Sequence, residues 1–545
     1  MIPVEKNKEY EIKIEAVTNE GNGVGHIDGF TVFVPGSVRY DVLQVLIVKV
    51  NKTYAYGKVV RIIEPSPYRT ESKCEFFDKC GGCQLMHIEY AEQLKIKSDI
   101  INDCISRLGG QKDYEFLGVI GMENPYNYRN KLVFPYGVDK DKNPVCGFFA
   151  QRSHRVVPLT NCLLGDDLHE KVLKIINEHV KKYNISVYDE EKHTGVIRRV
   201  FLRQGFLSNE AMIVISANAE SVKKQKELSQ KLMDSDNRIK SVILNVNSKK
   251  NNLVLGDKNI TLMGKDTILD VLCGFKYEIS PHSFFQVNPI QTEKLYNTAV
   301  EFADIKETDR VLDIYCGIGT ISLLCSKYAK EVIGVEIVPQ AIEDAKYNAA
   351  KNDVNNAGFL CGAAENVVPE LLKRNEKPDV VILDPPRKGS DEKTLNAIVQ
   401  AKPDRIVYVS CNPATLARDI KFLTEKGYRL KKVKGCDMFP HSVHIETCVL
   451  LSKLKSSKSV SIELDLDDLE ITAAEAKATY GEIKEYILNK YGFKVSSLNI
   501  AQVKQECGII ERENFNKPSG KYRQPKCPEH KFNAIKETLE HFKMI

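Results

Sequence analysis

The chain has 545 residues, too many for one hydrophobic core, so length alone suggests about three or four domains. Its 78 Lys and Arg stand against 73 Asp and Glu, a net charge of +5, so the surface is mixed and any nucleic-acid site must be a local patch. The charged opening MIPVEKNKEYEIKIE and the want of any stretch long enough to span a bilayer argue against a signal peptide or membrane anchor and predict a cytoplasmic protein; its 15 cysteines, an odd number, then point to metal binding, catalysis or burial rather than a disulfide framework.

Residues 1–62 alternate apolar and polar positions in short runs such as EYEIKIEAV, FTVFVPGSV and VLQVLIVKV, separated by Gly, Asn and Pro, which predicts a small all-β barrel. Its loops carry Lys49, Lys52, Tyr54, Tyr56, Lys58 and Arg61, cations and aromatics suited to phosphates and stacked bases, although a solvated barrel face explains the lysines equally well. Residues 63–256 read as an α+β domain that opens with CEFFDKCGGCQLMH. Cys74, Cys80 and Cys83 there want a fourth thiolate, and Cys162 in LTNCLLG is the candidate; four cysteines satisfy either an iron–sulfur cluster or tetrahedral zinc. Arg129, Lys131, Arg198, Arg199 and Arg203 fall on or beside predicted strands, where they are able to meet RNA phosphates or to form ordinary surface pairs.

Residues 257–455 carry the chemistry. DRVLDIYCGIGTISLLC followed by EVIGVEIVPQAIEDAKYNA reads strand, glycine turn, helix, strand, helix, the order of a doubly wound parallel sheet. Gly317 and Gly319 allow backbone to approach a ligand, and Glu336 at the next strand end is placed to accept ribose hydroxyls. The third glycine of the dinucleotide spacing is missing, which favours a cofactor without a pyrophosphate, and S-adenosylmethionine qualifies. Two further strands end in Asp384 (VVILDPPRKG) and Cys411 (RIVYVSCNPATLARD), bringing a carboxylate and a thiol to one rim, while HIETCVLLSKL buries Glu446 in an apolar strand, where an unpaired carboxyl is costly. Arg387 stands after the two prolines, where amino-group methyltransferases place an aromatic residue, which disfavours that reading. Cys316, Cys325, Cys361, Cys436 and Cys448 fall in the cofactor turn or in apolar helices and strands, and packing is the expected role.

Together FFQVNP, DIYCGIGT, GVEIV, LDPPRKG, SCNPATLARD and HIETCVLL resemble the RNA (uracil-5-)-methyltransferases that make 5-methyluridine, especially the bacterial 23S ribosomal RNA branch, over roughly the first 455 residues. NEGNGVGHIDGFTVFVPG and VNKTYAYGKVVRIIEPSPYR resemble a TRAM domain, an RNA-binding barrel, although SVRYD replaces the usual Pro-Gly-Glu. The resemblance implies a Rossmann-like S-adenosylmethionine-dependent domain with Gln286, Tyr315, Glu336 and Asp384 as cofactor contacts. It also implies a 4Fe-4S cluster on Cys74, Cys80, Cys83 and Cys162, Cys411 as the nucleophile that adds to uracil carbon 6, and Glu446 as the base. The expected partner is RNA, 23S ribosomal RNA ahead of transfer RNA, with no membrane and a monomeric chain. A non-catalytic iron–sulfur RNA-binding protein is the rival reading, and it has no need of Cys411 and Glu446.

Residues 456–545 follow a polar, linker-like stretch and lie outside the resemblance. A capping box at Thr472 and Glu475 predicts a helix that stops at Gly492, and SSLNIAQVKQECGI and PEHKFNAIKETLEHFKMI predict two more, a small helical extension.

Overall fold

The continuous Val- and Ile-rich runs of the second half form a buried sheet, because strands covered on both faces need apolar side chains at every position. The computed structural model describes residues 2–151, 153–159, 161–250, 253–454, 480–507, 527–542 and 544–545. Two compact units divide the chain at residues 455 and 456.

In the first unit, the N-terminal residues form a six-stranded sheet in the order Glu9–Lys13, Val42–Val50, Tyr54–Glu64, Phe30–Pro35, Asn22–Ile27, Ala16–Val17. Bulges between the two long central strands curl it around a core that includes Val32, Val34, Leu43, Val45 and Ile47. A seven-stranded sheet follows, in the order Val156–Pro158, Pro144–Phe149, Lys131–Val138, Ile197–Gln204, Ala211–Ala217, Ile239–Val246, Lys258–Gly264. The helix Leu168–Lys182 covers it with Leu168, Val172, Leu173, Ile176 and Val180, all buried in the same core as the strands.

The third sheet has eight strands, in the order Ala357–Cys361, Glu331–Glu336, Arg310–Ile314, Val380–Leu383, Arg405–Ser410, Glu446–Lys453, Tyr428–Cys436, Glu115–Ile120. The first five are mutually parallel, and Glu446–Lys453 runs antiparallel to both of its neighbours. Arg310–Ile314 is flanked by the strand that follows it on one side and by Val380–Leu383 on the other, the switch point at which open α/β sheets bind ligands. Two expected boundaries move. Glu115–Ile120, placed in the central domain by the sequence, pairs with Tyr428–Cys436 in this sheet, and Lys258–Gly264, placed in the catalytic domain, closes the central sheet against Ile239–Val246. Backbone pairing partners set these boundaries, and short alternating runs do not reveal them.

The second unit contains the helices Tyr480–Tyr491, Ser497–Glu506 and Glu529–His541 around Ile483, Ile487, Ile500, Val503, Ile535 and Leu539. Gly492 ends the first of them with a φ of +75°, as expected for a left-handed helix stop. The capping box at Thr472 and Glu475 lies outside the described residues.

Candidate active site

Cys411 follows directly on the strand Arg405–Ser410 and precedes the helix Pro413–Glu425. The Asn-Pro pair behind it is a helix start: Asn412 Oδ1 accepts from the Ala414 backbone N–H at 3.0 Å, and Pro413 occupies the first turn, where its missing N–H costs nothing. The thiol is thus held at a sheet rim by a capped turn. Ser410 pairs with Thr447 at the last rung of the ladder, and Cys411 and Glu446 are the next residues along the two strands. Glu446 is 4% exposed.

The other rim residues come from the parallel strands. Asp384 follows Val380–Leu383, and its backbone N–H points to the Ile314 carbonyl at 3.4 Å. Tyr315 follows Arg310–Ile314 in a left-handed conformation, φ +67°, a costly geometry for a tyrosine, and its hydroxyl lies 3.1 Å from Ser390 Oγ. Glu336, at the next strand end, accepts from the Gly317 N–H at 3.3 Å and the Val338 N–H at 3.0 Å, which orients the carboxylate beside the glycine turn. Gly317 has φ +55°, and a Cβ there would meet open space, whereas one on Gly319 would press on the Phe359 ring at 3.0 Å. Gln286 joins from the segment before the helix Pro289–Ala303, and its carbonyl accepts from Asn130 Nδ2 at 2.9 Å. The structure therefore gathers Tyr315, Glu336, Asp384, Cys411 and Glu446 at one end of one sheet.

Charge at this rim is unbalanced toward acid. Burial pushes the Cys411 thiol up to about 11, with Glu446 and then Asp384 adding to the effect and Arg387 opposing it. Burial also holds the Glu446 carboxyl well above the usual carboxylate range, Asp384 raises it further, and Arg387 again opposes. Asp384 is raised by burial and by the charge of Asp313. Arg387 is thus the cation that favours both the thiolate and the carboxylate, a role the sequence reading missed when it weighed the residue only as a non-aromatic. Its loop is tied to the helix that follows Cys411: Thr415 Oγ1 donates to the Arg387 carbonyl at 3.3 Å, and Arg418 donates to the carbonyls of Lys388 and Ser390 at 3.1 and 3.2 Å. Asp313 was also missed. It is fully buried, accepts from Ser322 Oγ at 2.5 Å, and is raised to about 7 by burial; a lone carboxyl in an apolar strand, the signal that singled out Glu446, was present in RVLDI.

The four predicted ligand cysteines line one cavity of about 590 Å³, with Phe76, Phe77, Met86, Leu132 and Phe148 among its other walls. Burial pushes the Cys83 thiol up to about 12, and Cys162, Cys80 and Cys74 raise it further while Arg129 lowers it. No group of three or more His, Cys, Asp or Glu side chains among the described residues is arranged to hold a metal ion.

Three expectations are corrected. Arg203 is 4% exposed and donates to the carbonyls of Ser280 and Ser283, both at 2.9 Å, and Arg198 is 5% exposed and donates to the Asn247 and Lys249 carbonyls; both saturate internal acceptors rather than face RNA. Cys361 is exposed at the end of its strand instead of packed. No helix among the described residues is long and apolar enough to cross a membrane.

The TRAM domain profile matches residues 3–60, and that of the family described as tRNA (Uracil-5-)-methyltransferase matches residues 171–454. An uncharacterized RNA methyltransferase of Clostridium tetani is 47% identical over 451 residues, 83% of this chain and 98% of the relative. One of Halalkalibacterium halodurans is 42% identical over 449 residues, 82% of this chain and 98% of the relative. The crystal structure of the Pyrococcus abyssi tRNA (uracil-54, C5)-methyltransferase, in complex with S-adenosyl-L-homocysteine, superposes with a TM-score of 0.65 at 28% identity, covering 81% of this chain and 99% of that one. The chain belongs to the RNA (uracil-5-)-methyltransferase family and is an S-adenosylmethionine-dependent RNA methyltransferase with an N-terminal TRAM domain.

Proposed function

We propose that this enzyme methylates carbon 5 of a uridine in RNA through a covalent adduct on Cys411, with Glu446 as the base. The observation that carries this reading is a thiol and a buried carboxyl brought together by adjacent strands, at the rim where Asp384, Tyr315 and Glu336 also end. S-adenosylmethionine supplies a methyl group on cationic sulfur, and Gln286, Tyr315, Glu336 and Asp384 would hold it.

Carbon 5 of uracil is a weak nucleophile. Addition of the Cys411 thiolate to carbon 6 moves the ring electrons into an enolate, whose carbon 5 takes the methyl group as the sulfonium–carbon bond breaks. Carbon 5 then carries a methyl group and a proton. Glu446 removes that proton, the carbon 5–carbon 6 double bond re-forms, and the Cys411 thiolate leaves. Burial makes the Glu446 carboxylate a stronger proton acceptor than an exposed one, which suits the step. A base within a helix does not offer carbon 6 to a thiol, so the target uridine is unpaired or flipped out.

The sequence resemblance supports a 4Fe-4S cluster on Cys74, Cys80, Cys83 and Cys162, which line one cavity although they are not arranged to hold a single metal ion. Thiolates crowded in one cavity need a compensating cation, which either a cluster or zinc supplies. Methyl transfer by this route needs no electron from the cluster, and a structural role is the simpler assignment. The proposed substrate is 23S ribosomal RNA, by the sequence resemblance; the structural likeness to a tRNA (uracil-54, C5)-methyltransferase favours transfer RNA as the second reading. The test is unmodified 23S RNA and transfer RNA, each labelled with tritium at uracil carbon 5. Tritium release matching methyl transfer, and lost in Cys411→Ala, is expected on the true substrate. Methyl transfer without release would overturn the carbon 5 assignment.

A further inference from the structure

The segment 437–442 leads from the strand Tyr428–Cys436 toward Glu446, the first residue of the next strand. Each of its first five carbonyls accepts a hydrogen bond from outside the segment. Gln291 Nε2 donates to Asp437 at 3.1 Å, Asn288 Nδ2 to Met438 at 3.0 Å, Lys97 Nζ to Phe439 at 3.1 Å and the Tyr128 hydroxyl to Pro440 at 3.1 Å. The backbone N–H groups of Gln84 and Leu85, directly after Cys83, both donate to the His441 carbonyl, at 3.0 and 2.9 Å.

His441 is the tightest point of this clamp. It holds a left-handed conformation, φ +65°, which only the surroundings can sustain in a histidine, and it is 3% exposed. Its backbone N–H donates to Gln93 Oε1 at 3.1 Å, and its Nδ1 lies 3.2 Å from Gln93 Nε2. Its ring lies 4.7 Å from that of Tyr126, tilted by 35°. Gln93 in turn is fully buried on the helix Tyr90–Asp103 and donates to the Ile88 carbonyl at 2.8 Å.

We infer that His441 is a positioning residue through which the cysteine loop, with Gln93, fixes the turn that delivers the proton-accepting carboxyl of Glu446. The inference rests on the reading of Glu446 as the base. It gives the cysteine loop a mechanical task in catalysis without any electron transfer, because the loop's backbone N–H groups hold the His441 carbonyl.

Loosening the turn would slow the last proton removal more than the first addition, since Cys411 belongs to a different strand and a separately capped helix. His441→Gly suits the left-handed backbone while deleting the ring, Gln93→Leu removes both hydrogen bonds between Gln93 and His441, and His441→Asn retains an amide and tolerates the conformation. The measurements are turnover, KM for S-adenosylmethionine, and the fraction of protein trapped as a methylated RNA adduct on denaturing gels. His441→Gly and Gln93→Leu should lower turnover, by up to about 100-fold for a displacement near 1 Å, leave that KM within about twofold, and accumulate adduct, with His441→Asn recovering most of the turnover. Loss of turnover without adduct, or wild-type turnover in both deleting variants, would overturn the inference. Glu446→Gln, run in parallel, must trap adduct as well; if it turns over freely, the assignment of the base fails, and that failure is separable from the behaviour of the His441 variants.

Discussion

Alkylation of Cys411 in the ligand-free enzyme tests the electrostatic account of the site. Burial beside Glu446 and Asp384 moves its thiol from an ordinary 9.0 to about 11, with Arg387 opposing. At pH 8 the thiolate fraction falls from about one tenth to about one thousandth, roughly a hundredfold loss. A more basic thiolate is intrinsically more nucleophilic, with a Brønsted slope of about 0.4–0.5, which returns roughly eightfold. The net expectation is alkylation about tenfold slower than for an ordinary thiol, rising about tenfold per pH unit and levelling only near pH 11. Brief iodoacetamide pulses across pH 7–11, read by mass spectrometry of the Cys411 peptide, measure this, and the exposed Cys361 supplies a reference within the same chain. Glu446→Gln should move the inflection down and Arg387→Ala should move it up. A plateau that begins at or below pH 8 in the unliganded wild-type protein would refute the reasoning.

Other consequences follow from single features. Lys97→Met leaves Asp437 buried without its cation, both side chains being fully buried and 2.5 Å apart, and should cost about 3–5 kcal/mol in urea unfolding; an unchanged midpoint would show the pair to be dispensable. On the TRAM barrel, Phe33, Tyr54 and Tyr56 form an aromatic cluster with ring centroids 5.5–5.7 Å apart. Tyr54→Ala and Tyr56→Ala should each weaken RNA binding by about 1–3 kcal/mol per stacked base in filter assays, without altering affinity for S-adenosylhomocysteine, and equal binding would remove the cluster from the RNA surface. Protein purified without oxygen should contain iron and acid-labile sulfide in equal amounts, both lost in Cys162→Ser; zinc in their place would overturn the cluster assignment.

The sequence was informative where one residue carries both a structural and a chemical signal. Cys411 before an Asn-Pro helix start, Asp384 before two prolines and Glu446 within an apolar strand are legible because strand tips and buried carboxyls leave local marks. Arg387 left none, since its effect depends on two groups that only the folded sheet brings near it. The clamp on residues 437–442 was equally hidden, because its donors are spread from Gln84 to Gln291. Arg198 and Arg203 misled for the opposite reason: a cation on a strand looks available until the carbonyls it saturates are known.

The pairing of Glu115–Ile120 with Tyr428–Cys436 has a consequence for any attempt to isolate the catalytic half. A fragment begun at residue 257 would bare the outer ladder of Tyr428–Cys436, offering unpaired N–H and C=O groups to other chains, and would strand Asp437 without Lys97. Such a fragment should aggregate. On the ribosome the same pairing leaves Glu115–Ile120 without its partner until more than 300 further residues have been made, so the methyltransferase sheet is completed late and by its earliest-synthesised strand.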